Sequence, residues 1–235
     1  MATCNSSISH YLSLGFVAIL PSIPYSALRN LQDMDAIVDW IKTMPDKCST
    51  CSEFGNNGDA ASKKMHAVVA GAGFIGLEMV EQLMRRGLDV TVVEMLPQVL
   101  GPIDVEMAAI VEEDMIARGV TLVTGDAIQE FAPNNNNGDE NDPSTIVKLK
   151  SGKMLPPAQI TILGLGVRPD TKIVREAGIT CTARGHIQVD DYLRTNVDNV
   201  WAAGDSIEVR NPIIGADEKW AVPLAGVSLI FCAND

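Results

Sequence analysis

The sequence contains no stripe of clustered lysine and arginine residues. Its 18 basic residues are outnumbered by 30 acidic residues, which gives a formal net charge of −12. Because nucleic-acid binding depends on basic patches that neutralise phosphates, we expect no nucleic-acid partner. The sequence also lacks a run of about 18 consecutive apolar residues, which a membrane-spanning helix needs, so no transmembrane segment is expected.

Basic residues are also missing from the first ten positions, ahead of the apolar stretch "LSLGFVAIL" at residues 12–20. A secretory signal needs a basic start and a small-residue cleavage site, but "PSIPY" follows instead. We therefore interpret this stretch as a buried strand or an anomalous N-terminus rather than as a signal peptide. The expected location is the cytoplasm, with an organelle as the alternative.

Cysteine is scarce, and its five copies are scattered along the chain at positions 4, 48, 51, 181 and 232. An odd, scattered set argues against a disulfide framework. Cys48 and Cys51 form a C-x-x-C pattern, which is compatible with a redox pair or with half of a zinc site. The pattern lies in a polar stretch without two further ligands at short spacing. We therefore interpret both cysteines as loop thiols and predict no metal site.

The sequence does contain an alternation of strand and helix patterns. Helical spacing of apolar residues predicts a helix over 26–44, and a polar stretch at 45–64 predicts a loop or linker. From residue 65 onward, strands alternate with helices, which predicts an α/β fold with a parallel sheet. The predicted strands are residues 65–70, 88–94, 120–125, 128–132, 145–156 and 159–167, and the further predicted helices are 74–86, 105–118 and 171–178.

Single residues mark the ends of these elements. Asp104 is predicted to be the N-cap of the helix that follows it. Residues 128–132 and 145–156 are expected to pair antiparallel around the insertion "PNNNNGDENDP" at 133–143, whose polar composition predicts a mobile loop tip. Three glycines are predicted to end helices in the left-handed conformation: Gly87, Gly119 and Gly178.

The segment "VVAGAGFIGLE" contains the pattern G-x-G-x-x-G at Gly71, Gly73 and Gly76, between a predicted strand and a predicted helix. The first glycine permits a tight turn, the second lets the backbone approach a pyrophosphate, and the third permits close helix packing. The N–H groups and the dipole at the helix N-terminus favour phosphate charge. Phe74 and Ile75 complete this predicted dinucleotide-binding turn.

Glu94 ends the second strand of this unit, where a ribose-binding carboxylate is expected. It can accept hydrogen bonds from both adenosine ribose hydroxyls, and it would repel a 2′-phosphate. No arginine follows in "EMLPQVLGPID" to receive that phosphate, so the sequence predicts NADH rather than NADPH. For Glu78 two interpretations stay open: charge complementarity at the helix N-terminus, or a role near the nicotinamide.

Together these motifs carry a family resemblance. The stretch from "VVAGAGFIGLEM" through "VVEMLPQVLGPIDVEMA", with "LGVRPDTKIVREAGI" and "IQVDDYLRTNVDNVWAAGDSIEV", resembles the FAD-dependent pyridine nucleotide-disulfide oxidoreductases. Within that family it is similar to CoA-disulfide reductases, NADH oxidases and NADH peroxidases. The resemblance covers about residues 23–226.

The resemblance implies roles for six further residues. The family's motif at "AAGD" binds the ribityl chain of FAD, which implies FAD binding by Gly204 and Asp205. The turn "GLGVRPD" resembles the family's turn beside the nicotinamide nucleotide, which implies NADH contacts at Gly164 and Gly166. In "WAVPLAG", the implied FAD contacts are Leu224 and Ala225.

The resemblance also implies a domain organisation and an activity. Residues 65–180 would form a Rossmann-like NADH-binding domain, flanked by segments of an FAD-binding domain at 1–44 and 181–235. In this family a hydride passes from NADH to the flavin and then to a disulfide, a thiol or oxygen. A nitrite or quinone reductase is a related alternative.

Expected family features are missing from the sequence. No glycine fingerprint for FAD and no cysteine in a redox motif precede Gly71, and "VSLIFCAND" stands where the family continues toward a dimerisation domain. We therefore expect a partial chain and no family-type homodimer, and we identify no catalytic residue. The alternative function is a module that binds NADH without turnover.

Overall fold

The structure, a computed structural model, describes residues 19–20, 31–47, 64–134, 144–166, 169–210 and 219–220. The chain divides into two compact units, residues 1–166 and residues 167–235. Among the described residues, no helix is both long enough and apolar enough to cross a membrane.

The described residues contain ten strands and four helices. The strands are β1 (Ile19–Leu20), β2 (His66–Ala70), β3 (Asp89–Val93), β4 (Thr121–Val123), β5 (Ile128–Pro133), β6 (Thr145–Leu149), β7 (Ile160–Leu163), β8 (Ile187–Gln188), β9 (Ile207–Arg210) and β10 (Lys219–Trp220). The helices are α1 (Leu31–Lys47), α2 (Phe74–Arg85), α3 (Val105–Ala117) and α4 (Lys172–Glu176).

The first unit is centred on a five-stranded sheet with the order β1-β7-β2-β3-β4. Strands β2, β3, β4 and β7 run parallel, and β1 pairs antiparallel with β7. This arrangement confirms the predicted α/β fold. Because β3 and β4 continue on one side of β2 while β7 lies on its other side, the strand order switches at β2. Ligands of such folds bind beyond the carboxyl ends of the strands at a switch point.

The core of the first unit explains its strand sequences. A parallel sheet covered on both faces buries consecutive residues instead of alternate ones, and four consecutive residues are buried in β2 and in β7. Helix α1 is attached to this sheet by Trp40, whose indole N–H donates to the backbone oxygen of Gln159 at 3.1 Å. Fully buried side chains in the strands include Val68, Val69, Val92 and Ile162.

Strands β5 and β6 form the predicted antiparallel excursion, a separate two-stranded sheet. The predicted strand over 145–156 is wrong in its second half, because β6 ends at Leu149 and the chain reverses. Gly152 adopts φ +88° and donates its N–H to the Leu149 oxygen at 2.9 Å. Residue Leu155 then returns beside the strand and donates to the Val147 oxygen. A glycine adopts this turn conformation without strain.

The ends of the helices follow the predicted caps with two exceptions. Helix α1 continues to Lys47 rather than ending at 44, although Pro45 brings no backbone N–H to the helix. Asp104 is the N-cap of α3 as predicted, but its side chain makes no capping hydrogen bond. All three predicted cap glycines have left-handed φ values: Gly87, Gly119 and Gly178.

The second unit contains α4 and a three-stranded sheet with the order β10-β9-β8. Its irregular segments are held by bonds between side chains and backbone. Asn196 accepts the Thr180 N–H at 2.7 Å and donates to the Gly178 oxygen at 2.9 Å. The buried Thr171 hydroxyl donates to the Gly185 oxygen at 2.8 Å. These bonds satisfy loop backbone groups that no strand pairs.

Several predictions concern residues outside the described part of the chain. They include the interpretation of Cys48 and Cys51 as loop thiols and the mobility of the insertion, of which residues 135–143 are not described. Of the apolar stretch at 12–20, Ile19 and Leu20 are described and form β1, which agrees with a strand. The implied FAD contacts outside the described residues are Leu224 and Ala225.

Candidate dinucleotide-binding site

The predicted glycine turn lies between β2 and α2, at the carboxyl end of the strand where the sheet order switches. Gly71 adopts φ +98°, and a Cβ added to it would overlap the backbone oxygen of Gly164. A Cβ added to Gly76 would overlap the backbone oxygen of Gly71. Because the obstacles are backbone atoms, no rotamer change relieves them, and the packing of the turn requires glycine at both positions.

Gly164 belongs to the same packed cluster. It is buried, its N–H donates to the Ala70 oxygen at 2.7 Å, and a Cβ on it would lie 3.2 Å from the Gly76 Cα. The structure therefore gives Gly164 a packing role, since its lack of a side chain lets the end of β7 approach the start of α2. Gly166 is exposed with φ +90°. Their NADH contacts stay predictions.

Gly73 differs from the other glycines of the motif. It is the N-cap of α2 in an ordinary extended conformation, with φ −79° and ψ −177°. A Cβ added to it would meet no other described atom within 4 Å. No side chain caps this helix, so the helix itself does not use the N–H groups of its first turn. Open space beside such donors and the positive end of the helix dipole fits a phosphate group.

The residue between the first two glycines is not available to a phosphate. The Ala72 N–H donates to Oε2 of Glu94 at 2.7 Å, and the Ala72 oxygen accepts the Leu100 N–H at 2.9 Å. Both polar groups of Ala72 are therefore occupied within the protein. The donors that can face a phosphate accordingly begin at Gly73.

Glu94 sits directly after β3 and spans two backbone segments. Its Oε2 accepts the Ala72 N–H, and its Oε1 accepts the Leu96 N–H at 2.8 Å. An ionised carboxylate has about four acceptor positions, so two remain after these contacts. The side chain is half-buried, which leaves part of the carboxylate accessible. This arrangement fixes one negative charge beside the glycine turn and can accept the two hydroxyls of a ribose.

The remaining predicted residues of α2 lie on the accessible side of the turn. Phe74 and Ile75 are 53% and 37% exposed, which is unusual for large apolar residues and provides apolar surface at the helix start. Glu78 is exposed but is the fifth residue of α2, beyond the first turn. The helix-dipole interpretation of Glu78 is therefore weakened, because that effect fades within one turn. Its role near the nicotinamide stays a prediction.

Sequence reasoning missed the loop that follows Glu94. Leu96 donates to Glu94 and accepts the Gly125 N–H at 2.9 Å, while Leu100 donates to Ala72. Leu100 has φ +48°, a left-handed conformation that is uncommon for leucine. These contacts use backbone groups, which every residue type carries, so no pattern of side chains signals them.

In the second unit, the residues predicted to bind FAD lie in the turn that leads into β9. Asp205 is exposed, and Gly204 has φ +89° with no described atom within 4 Å of an added Cβ. The turn follows a segment in which the Thr195 hydroxyl donates to the Val200 oxygen at 3.0 Å. An accessible carboxylate beside an open glycine fits a polyhydroxyl chain such as the ribityl group of FAD.

Comparison with known proteins identifies the family of this chain. Residues 27–219 match the family model described as pyridine nucleotide-disulphide oxidoreductase. The chain belongs to this family. The match includes the glycine turn, Glu94 and Asp205, so the predicted family is confirmed and all three lie in its shared region.

Individual relatives agree with this assignment. The chain is 30% identical to an NADH oxidase from Enterococcus faecalis, over 71% of this chain and 35% of that protein. It is 29% identical to a coenzyme A disulfide reductase from Staphylococcus aureus, over 76% of this chain and 34% of that protein. The solved structure of reduced CoADR-RHD from Bacillus anthracis matches with a TM-score of 0.66 and 35% identity, covering 87% of this chain and 31% of that one. The chain thus spans about a third of the length of these relatives.

Proposed function

We propose that the first unit binds NADH, with the pyrophosphate at the start of α2 and the adenosine ribose at Glu94. The observation that carries the proposal is the carboxylate of Glu94, which two backbone N–H groups hold at 2.7 and 2.8 Å beside the glycine turn. Gly73 provides the open approach for phosphate oxygens. The apolar surface of Phe74 and Ile75 lies next along the same helix.

The fixed charge of Glu94 supports NADH over NADPH. At about 4 Å and an effective dielectric near 20, two unit charges interact by about 4 kcal/mol. Solvent screening lowers this value for a half-buried carboxylate. A residual repulsion of about 1.4 kcal/mol still corresponds to a tenfold weaker binding of a 2′-phosphorylated dinucleotide.

We propose further that the protein is an FAD-dependent oxidoreductase that draws electrons from NADH. FAD, when bound, supplies a ring that accepts a hydride from the nicotinamide. Asp205 and Gly204 would hold its ribityl chain, and the glycine turn with Glu94 would orient NADH. Of the proposed final acceptors, which are a disulfide, a thiol and oxygen, a disulfide is supported by the name of the coenzyme A disulfide reductase relative.

The nucleotide assignment is tested by titrating the purified chain with NADH and with NADPH, using nicotinamide fluorescence. Wild type should bind NADH at least about tenfold more tightly than NADPH. Glu94→Gln removes the charge but keeps an acceptor oxygen, so it should bring the two affinities closer together. Glu113→Gln, an exposed change of the same kind on α3, is the control and should leave the ratio unchanged. Equal affinities in wild type would refute the role of Glu94.

The flavin assignment is tested on the same preparation. Protein with bound flavin should be yellow, and NADH should bleach the flavin absorption when oxygen is excluded. Asp205→Ala should lower the flavin content. Colourless protein that binds NADH, even after incubation with FAD, would contradict the oxidoreductase proposal and leave a nucleotide-binding module.

A further inference from the structure

We propose that Glu112 is a positioning residue for the adenosine half of the dinucleotide, although it lies on α3 and outside the glycine motif. This inference rests on the proposed NADH site. Oε1 of Glu112 accepts the Val99 N–H at 3.0 Å. Val99 is fully buried and Glu112 is half-buried, so water has limited access to this bond. A charged acceptor in such surroundings binds a backbone donor strongly.

Glu112 binds the backbone of Val99, the neighbour of the residue that contacts the glycine turn. Leu100 follows Val99 directly and donates its N–H to the Ala72 oxygen at 2.9 Å. Leu100 does so in a left-handed conformation, with φ +48°. A strained backbone conformation persists only where its surroundings hold it. The Glu112 carboxylate holds the backbone directly before Leu100, by accepting the Val99 N–H.

The same loop sets the position of Glu94. One carboxylate oxygen of Glu94 binds the Ala72 N–H, and the other binds the Leu96 N–H. The segment 95–100 is in turn attached at the Ala72 oxygen, at the Gly125 N–H and at the Glu112 carboxylate. Since the Glu112 anchor is made by a side chain, a mutation can remove it without altering any group proposed to touch the cofactor.

Loss of this bond should therefore make the Glu94 carboxylate, which is proposed to bind the ribose, less rigidly held. The N–H groups of α2 proposed to bind phosphate should stay in place. Glu112→Ala should weaken NADH binding about three- to tenfold, the range expected for one hydrogen bond. ADP-ribose, which lacks the nicotinamide, should weaken by the same factor. Glu112→Gln keeps a side-chain acceptor and should stay within about twofold of wild type. The adjacent exposed Glu113→Ala is the matched control and should bind like wild type.

A double-mutant cycle separates positioning from a purely structural role. If Glu112 acts by positioning Glu94, Glu112→Ala should change NADH affinity by less than about twofold in a Glu94→Ala background, which has no carboxylate left to position. A structural role would lower the free energy of unfolding and leave the affinity of the folded protein unchanged. If Glu112→Ala fails to fold, Glu112→Met takes its place, because it keeps the length without the acceptor.

The outcomes are distinct. Wild type that binds NADH and ADP-ribose, with Glu112→Ala indistinguishable from Glu113→Ala, overturns the positioning role and leaves the proposed function intact. An undiminished Glu112→Ala effect in the Glu94→Ala background also overturns it. Wild type that binds neither ligand refutes the proposed function, and the positioning role with it.

Discussion

Replacing Gly71 and Gly73 by alanine, one at a time, should separate the glycine that the fold needs from the glycine that the ligand needs. At Gly71, φ is +98° and a Cβ would overlap a backbone oxygen. A left-handed φ costs a residue with a Cβ about 1–2 kcal/mol. Forced overlap in a packed region adds about 1–3 kcal/mol. Gly71→Ala should therefore lower the free energy of unfolding by about 2–5 kcal/mol.

At Gly73 the same substitution meets neither obstacle. Its φ of −79° suits alanine, and an added Cβ has open space among the described residues. Gly73→Ala should change the free energy of unfolding by less than about 1 kcal/mol, because alanine is a poorer N-cap than glycine but loses less chain entropy on folding. Its methyl group would occupy the approach to the helix N-terminus, so NADH binding should weaken at least about tenfold, equivalent to about 1.4 kcal/mol.

Urea unfolding followed by circular dichroism gives the stabilities, and NADH fluorescence titration gives the affinities. We expect Gly71→Ala to lose mainly stability and Gly73→Ala to lose mainly affinity for NADH. Equal stability losses in both variants would refute the packing argument. Unchanged NADH affinity in folded Gly73→Ala would refute the phosphate site at α2.

Two further predictions concern the fold. Burial lowers the pKa of His66 from the value of about 6.5 that it has in the unfolded chain. In mild acid the unfolded state therefore binds more protons than the folded state. The free energy of unfolding should fall as the pH drops below about 6.5. Urea unfolding at about pH 7.5 and 5.5 should show a larger loss for wild type than for His66→Gln, and equal losses would contradict this. Gly152 has φ +88°, so Gly152→Ala should lower the free energy of unfolding by about 1–2 kcal/mol through backbone strain in the turn after β6. A Gly152→Ala variant as stable as wild type in urea unfolding would be inconsistent with that turn.

The parts of this protein that sequence reasoning anticipated are those in which a residue type is itself the signal. Glycine is required where a Cβ would meet backbone, as at Gly71 and Gly76, so the turn could be located from the pattern. Continuous valine-rich runs indicated the buried parallel strands. Glu94 could be singled out because a strand, glycine turn, helix and second strand of this kind predict an acidic residue at the end of the second strand.

The remaining features depend on groups that leave little trace in the sequence. Leu100 contributes a backbone N–H and a strained φ, and neither is marked by leucine. Gly152 stands among Lys150, Ser151 and Lys153, which also suit an exposed strand, so the pattern does not reveal the reversal after β6. Gly164 was attributed to the ligand through the family resemblance, whereas its packing against Gly76 requires knowledge of where β7 ends.

Binding of NADH at the glycine turn and Glu94 can be observed residue by residue, by following the amide chemical shifts of the labelled chain during an NADH titration. We predict that the largest shifts fall on the amides of residues 73–76 and on those of Ala72 and Leu96, which Glu94 holds. Saturable shifts elsewhere in the chain, with the amides of 73–76 unchanged, would contradict this site.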